Sequence, residues 1–576
     1  MGYMEQYRYW CEDEYFDDAT KAELAKIKDN EDEIKERFYK DLEFGTGGLR
    51  GVIGAGTNRM NIYTVRRATQ GLANYIIKQN AKDKGVAIAY DSRFMSPQFA
   101  DEAALCLAAN GIKAYVFETL RPTPELSFAV RCLGCVSGIV VTASHNPPEY
   151  NGYKVYWEDG AQITSPKDTD IIAEVASVTD YNDVKTMSKE QAIAEHLYNV
   201  IGKDIDDKYM AELKKQIIHP EIIKEMADSI RIVYTPFHGT GNIPVRRILS
   251  ELGFKHVYVV PEQELPDPEF TTLEYPNPED PKAFTLALKL AKEKDADVVL
   301  ATDPDADRLG IYAKDSETGE YVPFTGNMSG MLIAEYILRE RKAAGTLPDN
   351  AALVKTIVTT NLADALTDAY SVKLNEVLTG FKYIGEQIKL FEQNHDYEYV
   401  FGLEESYGCL AGTHARDKDA VVAVMCLCEV AAWCKYNGIT VWDQMKKIYR
   451  QYGFYKEGIH TVTLKGIDGA EQIKAIMDRL RANPPKEFGG LKVTKFRDYL
   501  KDTVTDLATG QVSPSGLPRS NVLYFDMEND SWCCARPSGT EPKIKFYMGI
   551  KGRDLEDADK KLESLKDAVV SQMEGK

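Results

Sequence analysis

Val140 to Tyr156 reads VVTASHNPPEYNGYKVY. The stretch opens on β-branched, apolar residues suited to a buried strand and then breaks into Ala-Ser-His-Asn-Pro-Pro. Asn151-Gly152 has the signature of a turn, after which a second short strand bearing Lys154 is expected. A strand that hands Ser144 and His145 to a loop and brings Lys154 back beside them is an arrangement for chemistry. A serine at a strand end can serve as nucleophile or phosphate carrier if something activates it, and Lys154 is a candidate base or phosphate counter-charge. The plain alternative is a turn, since Ser, Asn and Pro are common turn formers. The nucleophile elbow of hydrolases is not supported, because GxSxG does not occur.

Outward from this stretch, GVAIAYDSR and KAYVFE read as strands on either side of the helix SPQFADEAALCLAANG, so strands and helices alternate and an α/β domain is expected. The first ~40 residues read as charged helices, with helical spacing in KAELAKIKDNEDEIKERFYKDL, and a helix is expected from Thr64. Lys167 to Asp228 reads as helical and poor in strands. A new strand, IRIVYTP, starts a second α/β unit, which contains ADVVLATDPDADRLGIYA. A third unit contains LVKTIVTT, TGFKYIGEQI and YVFGLEESYG, and after about Arg450 the pattern changes to a smaller α+β unit. The expected division is 1–215, 216–323, 324–450 and 451–576: three α/β domains with mixed sheets and a C-terminal α+β domain. No sequence repeat is legible among them.

The composition is that of a globular protein, 44% hydrophobic and 28% charged over 576 residues. A net charge of −19 disfavours nucleic acid as a partner and leaves an anionic small ligand open. No run approaches the ~18 apolar residues of a membrane span, and the acidic N-terminus lacks the features of a secretory signal. A cytoplasmic location is expected, with no membrane partner. Cys132 and Cys135 have zinc-like spacing, but no second pair matches them.

Four further loops have chemical potential. In ATDPDADRLG, the alternation of Asp303, Asp305 and Asp307 lets three carboxylates converge on one hard cation, and magnesium is the expected metal. An EF-hand does not fit, because its sixth position would be Arg308 and its twelfth Lys314. RPSGTEPK joins Arg536 to Ser538, Gly539 and Thr540, a guanidinium with two hydroxyls and a Gly-containing turn, which suits a phosphate. FGTGGLRG places Arg50 beyond a glycine-rich loop that is neither a Walker motif nor a dinucleotide fingerprint. GLEESYG supplies Glu404, Glu405 and Ser406, suited to sugar hydroxyls. HARDKDA adds a cationic patch of His414, Arg416 and Lys418, and TGFKYIG adds Lys382 in a glycine-flanked loop.

Together and in this order, TASHNP, DPDADR, GLEESYG and RPSGTEPK resemble the phosphoserine, metal, sugar and phosphate loops of the α-D-phosphohexomutase superfamily. NGYKVYWEDGAQI and the extended N-terminus resemble its long phosphoglucomutase-type members, the branch that also holds phosphopentomutases. The resemblance implies four domains around a central active-site cleft, with Ser144 the phosphorylated residue. It implies magnesium on Asp303, Asp305, Asp307 and the Ser144 phosphate, with Arg50, His145, Lys154 and Arg308 around the transferring group and Lys154 a candidate general base. Gly380, Phe381, Lys382, Glu404, Ser406, His414, Arg416 and Lys418 would bind the sugar, and Arg536, Ser538, Gly539 and Thr540 the phosphate that is not reacting. The implied reaction interconverts glucose 1-phosphate and glucose 6-phosphate through a sugar 1,6-bisphosphate, with sugar phosphates as partners and a monomer or homodimer as the assembly. Tyr407-Gly408 stands where phosphomannomutase/phosphoglucomutase members usually carry GExSGH, which weakens a mannose reading. Phosphopentomutase or phosphomannomutase activity, a metal-dependent sugar-phosphate phosphatase and a non-catalytic sensor are the alternatives.

Overall fold

The computed structural model describes residues 2–44, 48–464, 466–538 and 543–574. They pack as two compact units. The first comprises Met1–Thr325, Phe381–His395 and Tyr407–Val441, and the second Gly326–Gly380, Asp396–Ser406 and Trp442–Lys576.

The first unit begins with the helices Tyr3–Glu12, Asp18–Ala25 and Glu31–Phe38. The helical pattern after residue 20 is thus split in two, because the Asn30 side chain accepts the Glu33 N–H and caps a new helix. These helices bury an aromatic cluster in which Trp10 is fully buried and stacks on Phe16 at 4.3 Å. Trp10 also meets Tyr63 and Tyr181 edge-on at 5.5 and 5.7 Å.

A six-stranded mixed sheet follows, built from β1 (Gly48–Val52), β2 (Val86–Tyr90), β3 (Ala114–Phe117), β4 (Ser137–Val141), β5 (Tyr150–Trp157) and β6 (Tyr198–Ile201), in the order β1-β5-β4-β2-β3-β6. β2, β3, β4 and β6 run parallel, and β5 lies antiparallel between β4 and β1. All five residues of β4 are buried, as in a parallel sheet covered on both faces. The segment read as poor in strands holds one short strand, β6. One reading of the sequence changes here. Asn151-Gly152 is not a turn but the second and third residues of β5, paired with Gly51 and Arg50. Pro147 and Pro148 break the chain earlier, and Ser144 takes a left-handed conformation (φ 51°) in the true turn. Glycine at 152 answers a close approach instead: a Cβ there would lie 2.5 Å from the Thr142 carbonyl oxygen.

A second mixed sheet has β7 (Arg231–Thr235), β8 (His256–Val259), β9 (Val298–Thr302), β10 (Leu309–Lys314) and β11 (Tyr321–Phe324), ordered β11-β10-β9-β7-β8. The segment β10-β9-β7-β8 repeats β5-β4-β2-β3, with an antiparallel strand joined by a short loop to a parallel set. The repeat that the sequence hides is therefore one of topology. The helix Ala420–Tyr436, buried almost throughout, completes this unit.

The second unit holds β12 (Ala351–Thr356) paired in parallel with β13 (Lys373–Val377) and β14 (Glu398–Glu404). Its last sheet is antiparallel along Phe454–Thr463, Lys543–Gly552, Trp532–Pro537, Leu523–Met527 and Leu491–Asp498, and its core includes Leu523, Phe525, Ile544 and Met548.

Candidate active site

In the first unit the loop after β4 meets the loop after β9. Ser144 Oγ donates to Asp303 Oδ2 at 2.8 Å and lies 3.1 Å from His145 Nδ1. Asp303, Asp305 and Asp307 are buried, and one oxygen from each falls within 4.8 Å of the others. Asp303 Oδ1 accepts the backbone N–H groups of Asp307 and Arg308, both at 3.1 Å. Asp305 Oδ2 accepts from Lys154 Nζ at 2.8 Å and from Thr123 Oγ1 at 2.9 Å. Two further oxygens, Asp305 Oδ1 and Asp307 Oδ1, are buried with no hydrogen-bond partner among the described residues. Buried carboxylate oxygens left this way are costly, and a hard divalent cation bound by oxygen ligands removes that cost. The donor set fits a metal ion.

Charge in this group is unevenly held. Burial pushes the Asp303 carboxyl well above the usual carboxylate range, and Asp305 and Asp307 add to the effect. Burial acts the same way on Asp305, but Lys154 together with hydrogen bonds from Asp303 and Thr123 outweighs it and holds Asp305 below that range. Burial pulls the Lys154 ammonium down, yet Asp305 and Asp307 raise it overall. Lys154 therefore stands as a cation 2.8 Å from Asp305 and 3.7 Å from Asp307, a placement that suits a counter-charge better than a general base. Burial, followed by Arg308 and Arg50, holds the His145 imidazole well below its ordinary value, so the ring is neutral.

Lys418 joins the same group, 3.1 Å from Asp307 Oδ2 and 3.2 Å from Asp417 Oδ1. Asp417 in turn accepts from Tyr156 on β5 at 2.6 Å. The Lys418 ammonium also lies 5.7 Å from the centre of the buried Phe381 ring. Arg50 on β1 reaches Asn146 Oδ1 at 3.2 Å, and Arg308 reaches Glu279 at 2.8 Å. Phe381 and Lys382 open the helix Phe381–Asn394 rather than sitting in a loop. Lys382 lines a small pocket with Trp157, Thr164, Lys167, Glu386 and Lys389.

His414 and Arg416 do not form an open cationic patch with Lys418. His414 Nε2 is buried 2.7 Å from Asp419 Oδ2, and Asp419 caps the helix Ala420–Tyr436. The Arg416 side chain is 1% exposed, bound to Glu392 and to the Thr413 and Ala415 carbonyls. Both tie down the loop that ends on Lys418.

In the second unit, Gly380 (φ 124°) follows β13, and Glu404 ends β14. Glu405 Oε2 accepts from Thr356 Oγ1 at 3.2 Å, and Ser406 is half-buried. Burial, with Glu404, pushes the Glu405 carboxyl up to about 7, although Thr356 and Arg536 oppose the shift. Arg536 lies on the strand Trp532–Pro537, and the Ser538 N–H donates to the Lys543 carbonyl at 2.7 Å. Gly539 and Thr540 lie outside the described residues.

Sequence reading passed over Asp91, Arg93, Thr123 and Thr142, which support the two central loops, and Tyr156 and Asp417, which hold Lys418. Charged Asp91 and Arg93 at the end of an apolar strand were the available signal, since such residues are almost never buried without a partner.

Comparison with known proteins places this geometry. Residues 41–182, 207–318 and 325–452 match domains I, II and III of the family described as phosphoglucomutase/phosphomannomutase. A phosphoglucomutase of Staphylococcus aureus (strain MRSA252) is 36% identical over 533 residues, covering 92% of this chain and 94% of that one. A phosphoglucomutase of Staphylococcus epidermidis is 38% identical over 530 residues, covering 90% and 92%. The fold is shared with a phosphoglucomutase/phosphomannomutase family protein from Burkholderia thailandensis, at TM-score 0.64 and 18% identity over 92% of this chain and 97% of that one. It is also shared with parafusin, a phosphoglucomutase from Paramecium, in its open form, at TM-score 0.68 and 19% identity over 93% and 96%.

Fold and site together define an isomerase that moves a phosphoryl group within a sugar phosphate. The chain belongs to the phosphoglucomutase/phosphomannomutase family, within the α-D-phosphohexomutase superfamily, and is of the phosphoglucomutase type. Among the described residues no single helix is long and apolar enough to cross a membrane.

Proposed function

We propose that the protein interconverts glucose 1-phosphate and glucose 6-phosphate, with Ser144 as the phosphoryl carrier and glucose 1,6-bisphosphate as both intermediate and activator. The reading rests on one observation above the others: Ser144 Oγ, at a strand end, touches a buried group of three carboxylates. In the first half-reaction the P–Oγ bond of phosphorylated Ser144 breaks and a P–O bond forms to the free hydroxyl of the sugar monophosphate. The hydroxyl proton ends on Ser144 Oγ. In the second half the bisphosphate returns its other phosphoryl group to Ser144 and leaves as the isomeric monophosphate.

Asp303, Asp305 and Asp307, with the Ser144 phosphate, would hold Mg²⁺. When bound, the ion supplies charge neutralisation and polarisation of phosphoryl oxygens. Lys154, Lys418, Arg50 and Arg308 supply cations around the transferring group, and His145 orients Ser144 Oγ. Phosphoryl transfer needs positioning and charge stabilisation above all, which such residues provide. Glu404 and Ser406, and with them Gly380, Phe381 and Lys382, are assigned to the sugar. His414 and Arg416 act through the Lys418 loop. Arg536, Ser538, Gly539 and Thr540 are assigned to the phosphate that is not reacting. We place the acidic chain in the cytoplasm.

The test is a panel of glucose, mannose and ribose 1-phosphates, each with its bisphosphate and Mg²⁺, in which isomeric product and free phosphate are measured separately. Glucose 6-phosphate formed without free phosphate is the expected result. Faster turnover of mannose or ribose 1-phosphate would move the assignment to that sugar, and free phosphate equal to substrate consumed would make the protein a phosphatase.

A further inference from the structure

Arg93 has no part in the reaction as described, yet its guanidinium binds the backbone of Ser144 directly. It lies just after β2, and its side chain is 0% exposed. Its guanidinium donates to four backbone carbonyls of a single loop. Nη2 reaches Ser144 O at 2.6 Å and also Asn146 O, and Nη1 reaches Pro147 O at 2.8 Å and Tyr150 O at 3.1 Å. Asp91 Oδ2 lies 3.4 Å from Arg93 Nε and accepts the Thr142 hydroxyl at 2.6 Å. Thr142 Oγ1 accepts the Ser144 N–H at 2.8 Å. The Phe270 ring lies 5.1 Å from the guanidinium.

A fully buried ion pair is a poor way to stabilise a fold, because desolvation consumes much of the attraction. Its value here lies in geometry. Ser144 sits in a left-handed conformation that a non-glycine residue adopts only when its surroundings hold it there. A planar guanidinium can satisfy several carbonyls at fixed angles, which a lysine ammonium cannot. Four contacts within seven residues fix the backbone on both sides of the reacting side chain.

We propose that Arg93 is a positioning residue for phosphoryl transfer: it clamps residues 144–150 so that Ser144 Oγ keeps its place against the carboxylate group. The proposal rests on the reading of Ser144 as the phosphoryl carrier, and the test separates the two. Wild type, Arg93→Lys and Arg93→Ala would be incubated with glucose 1,6-bisphosphate and Mg²⁺. Phosphate on Ser144, kcat, KM and amide hydrogen exchange over 142–151 would then be measured. Displacement of a reacting atom by about 1 Å costs about 100-fold, so Arg93→Lys should lose about that factor in kcat with KM changed by less than about 3-fold. Exchange should accelerate at 144–150, and millimolar methylguanidinium, but not ammonium, should recover part of the activity of Arg93→Ala. Should the alanine variant not fold, the lysine variant decides alone. Wild-type kcat and unchanged exchange in Arg93→Lys would overturn the clamp. Absence of phosphate from wild-type Ser144, with full activity in Ser144→Ala, would overturn the carrier reading and with it the clamp's role in transfer.

Discussion

The loop after β4 and the loop after β9 occupy the same position in two repeats of one topology, and each turns on a single non-glycine residue of positive φ, Ser144 at 51° and Ala306 at 50°. They share one internal bond and differ in what else holds them. The Ala143 carbonyl accepts the Asn146 N–H at 3.1 Å in the first loop, and the Asp303 carbonyl accepts the Ala306 N–H at 2.9 Å in the second. From outside, the first loop is gripped by one buried side chain, Arg93, through its carbonyls. The second is gripped by the backbone N–H groups of Thr240, Thr123 and Ala420, on the Pro304, Asp305 and Ala306 carbonyls, and its own Asp303 carboxylate accepts the Asp307 and Arg308 N–H groups. One connection in the fold thus carries a hydroxyl under a guanidinium in one copy and a set of carboxylates under backbone N–H groups in the other.

The sharpest way to break this contrast is Ser144→Ala. If the first loop reacts, kcat should fall by about 10⁴-fold or more and phosphate should vanish from the peptide containing residue 144, as shown by steady-state kinetics and intact mass. Full activity would reduce the loop to a turn. Asp305→Asn probes the other side. It should lower kcat by about 10³-fold and shift the magnesium titration to higher concentration while circular dichroism stays unchanged. Undiminished turnover in thoroughly chelated wild type would remove the metal from the second loop. A smaller effect belongs to Thr123→Val, which keeps the shape and the N–H bond to the Asp305 carbonyl but deletes the hydroxyl bond to its carboxylate. A hydrogen bond to a charged group is worth about 1.5–3 kcal/mol, so kcat should drop about 10-fold or somewhat more. No change would mean that the second loop keeps its carboxylates in place without the Thr123 hydroxyl.

The smallest effect concerns the connection after β14, where Glu404 and Glu405 stand in sequence and Tyr407 has φ 66°. Glu405, at about 7 in the folded protein against an ordinary 4.5, binds its proton more tightly when folded. Its contribution to stability is complete below pH 4.5 and is lost as pH rises through 7. Glu405→Gln cannot lose that proton. The melting temperature of wild type should therefore fall relative to the variant between pH 5 and pH 8, by about 2 °C or more in thermal scans. A constant difference would mean that Glu405 does not bind its proton more tightly in the folded protein.

How these loops are held also explains what the sequence revealed. Asp303, Asp305 and Asp307 are legible because alternation within five residues is enough to gather them. Ser144 and Lys154 are legible because one hairpin brings them together. The alternation of strands and helices gives the α/β units in the same way, through local periodicity. Arg93 and Thr123 are not legible as partners of these loops: one acts across 51 residues and the other across 182, and no short pattern encodes such distances. Asn151-Gly152 misled for a related reason, because it has turn chemistry while the requirement it meets is the nearby Thr142 carbonyl. His414 and Arg416 looked like ligands for an anion because sequence shows charge but not the buried carboxylates that neutralise it.

The family match begins at residue 41, but the packing does not. Trp10 and Phe16 seal Tyr63 and Tyr181, and Tyr63 accepts the Asp17 N–H at 2.8 Å through its hydroxyl. A chain begun at residue 41 would turn these rings toward water, and aromatic side chains bury about 150–250 Å² each. An apolar patch of that extent promotes self-association. The first three helices thus act as a built-in lid against aggregation, and solubility on shortening the chain depends on keeping a segment that has no part in the chemistry.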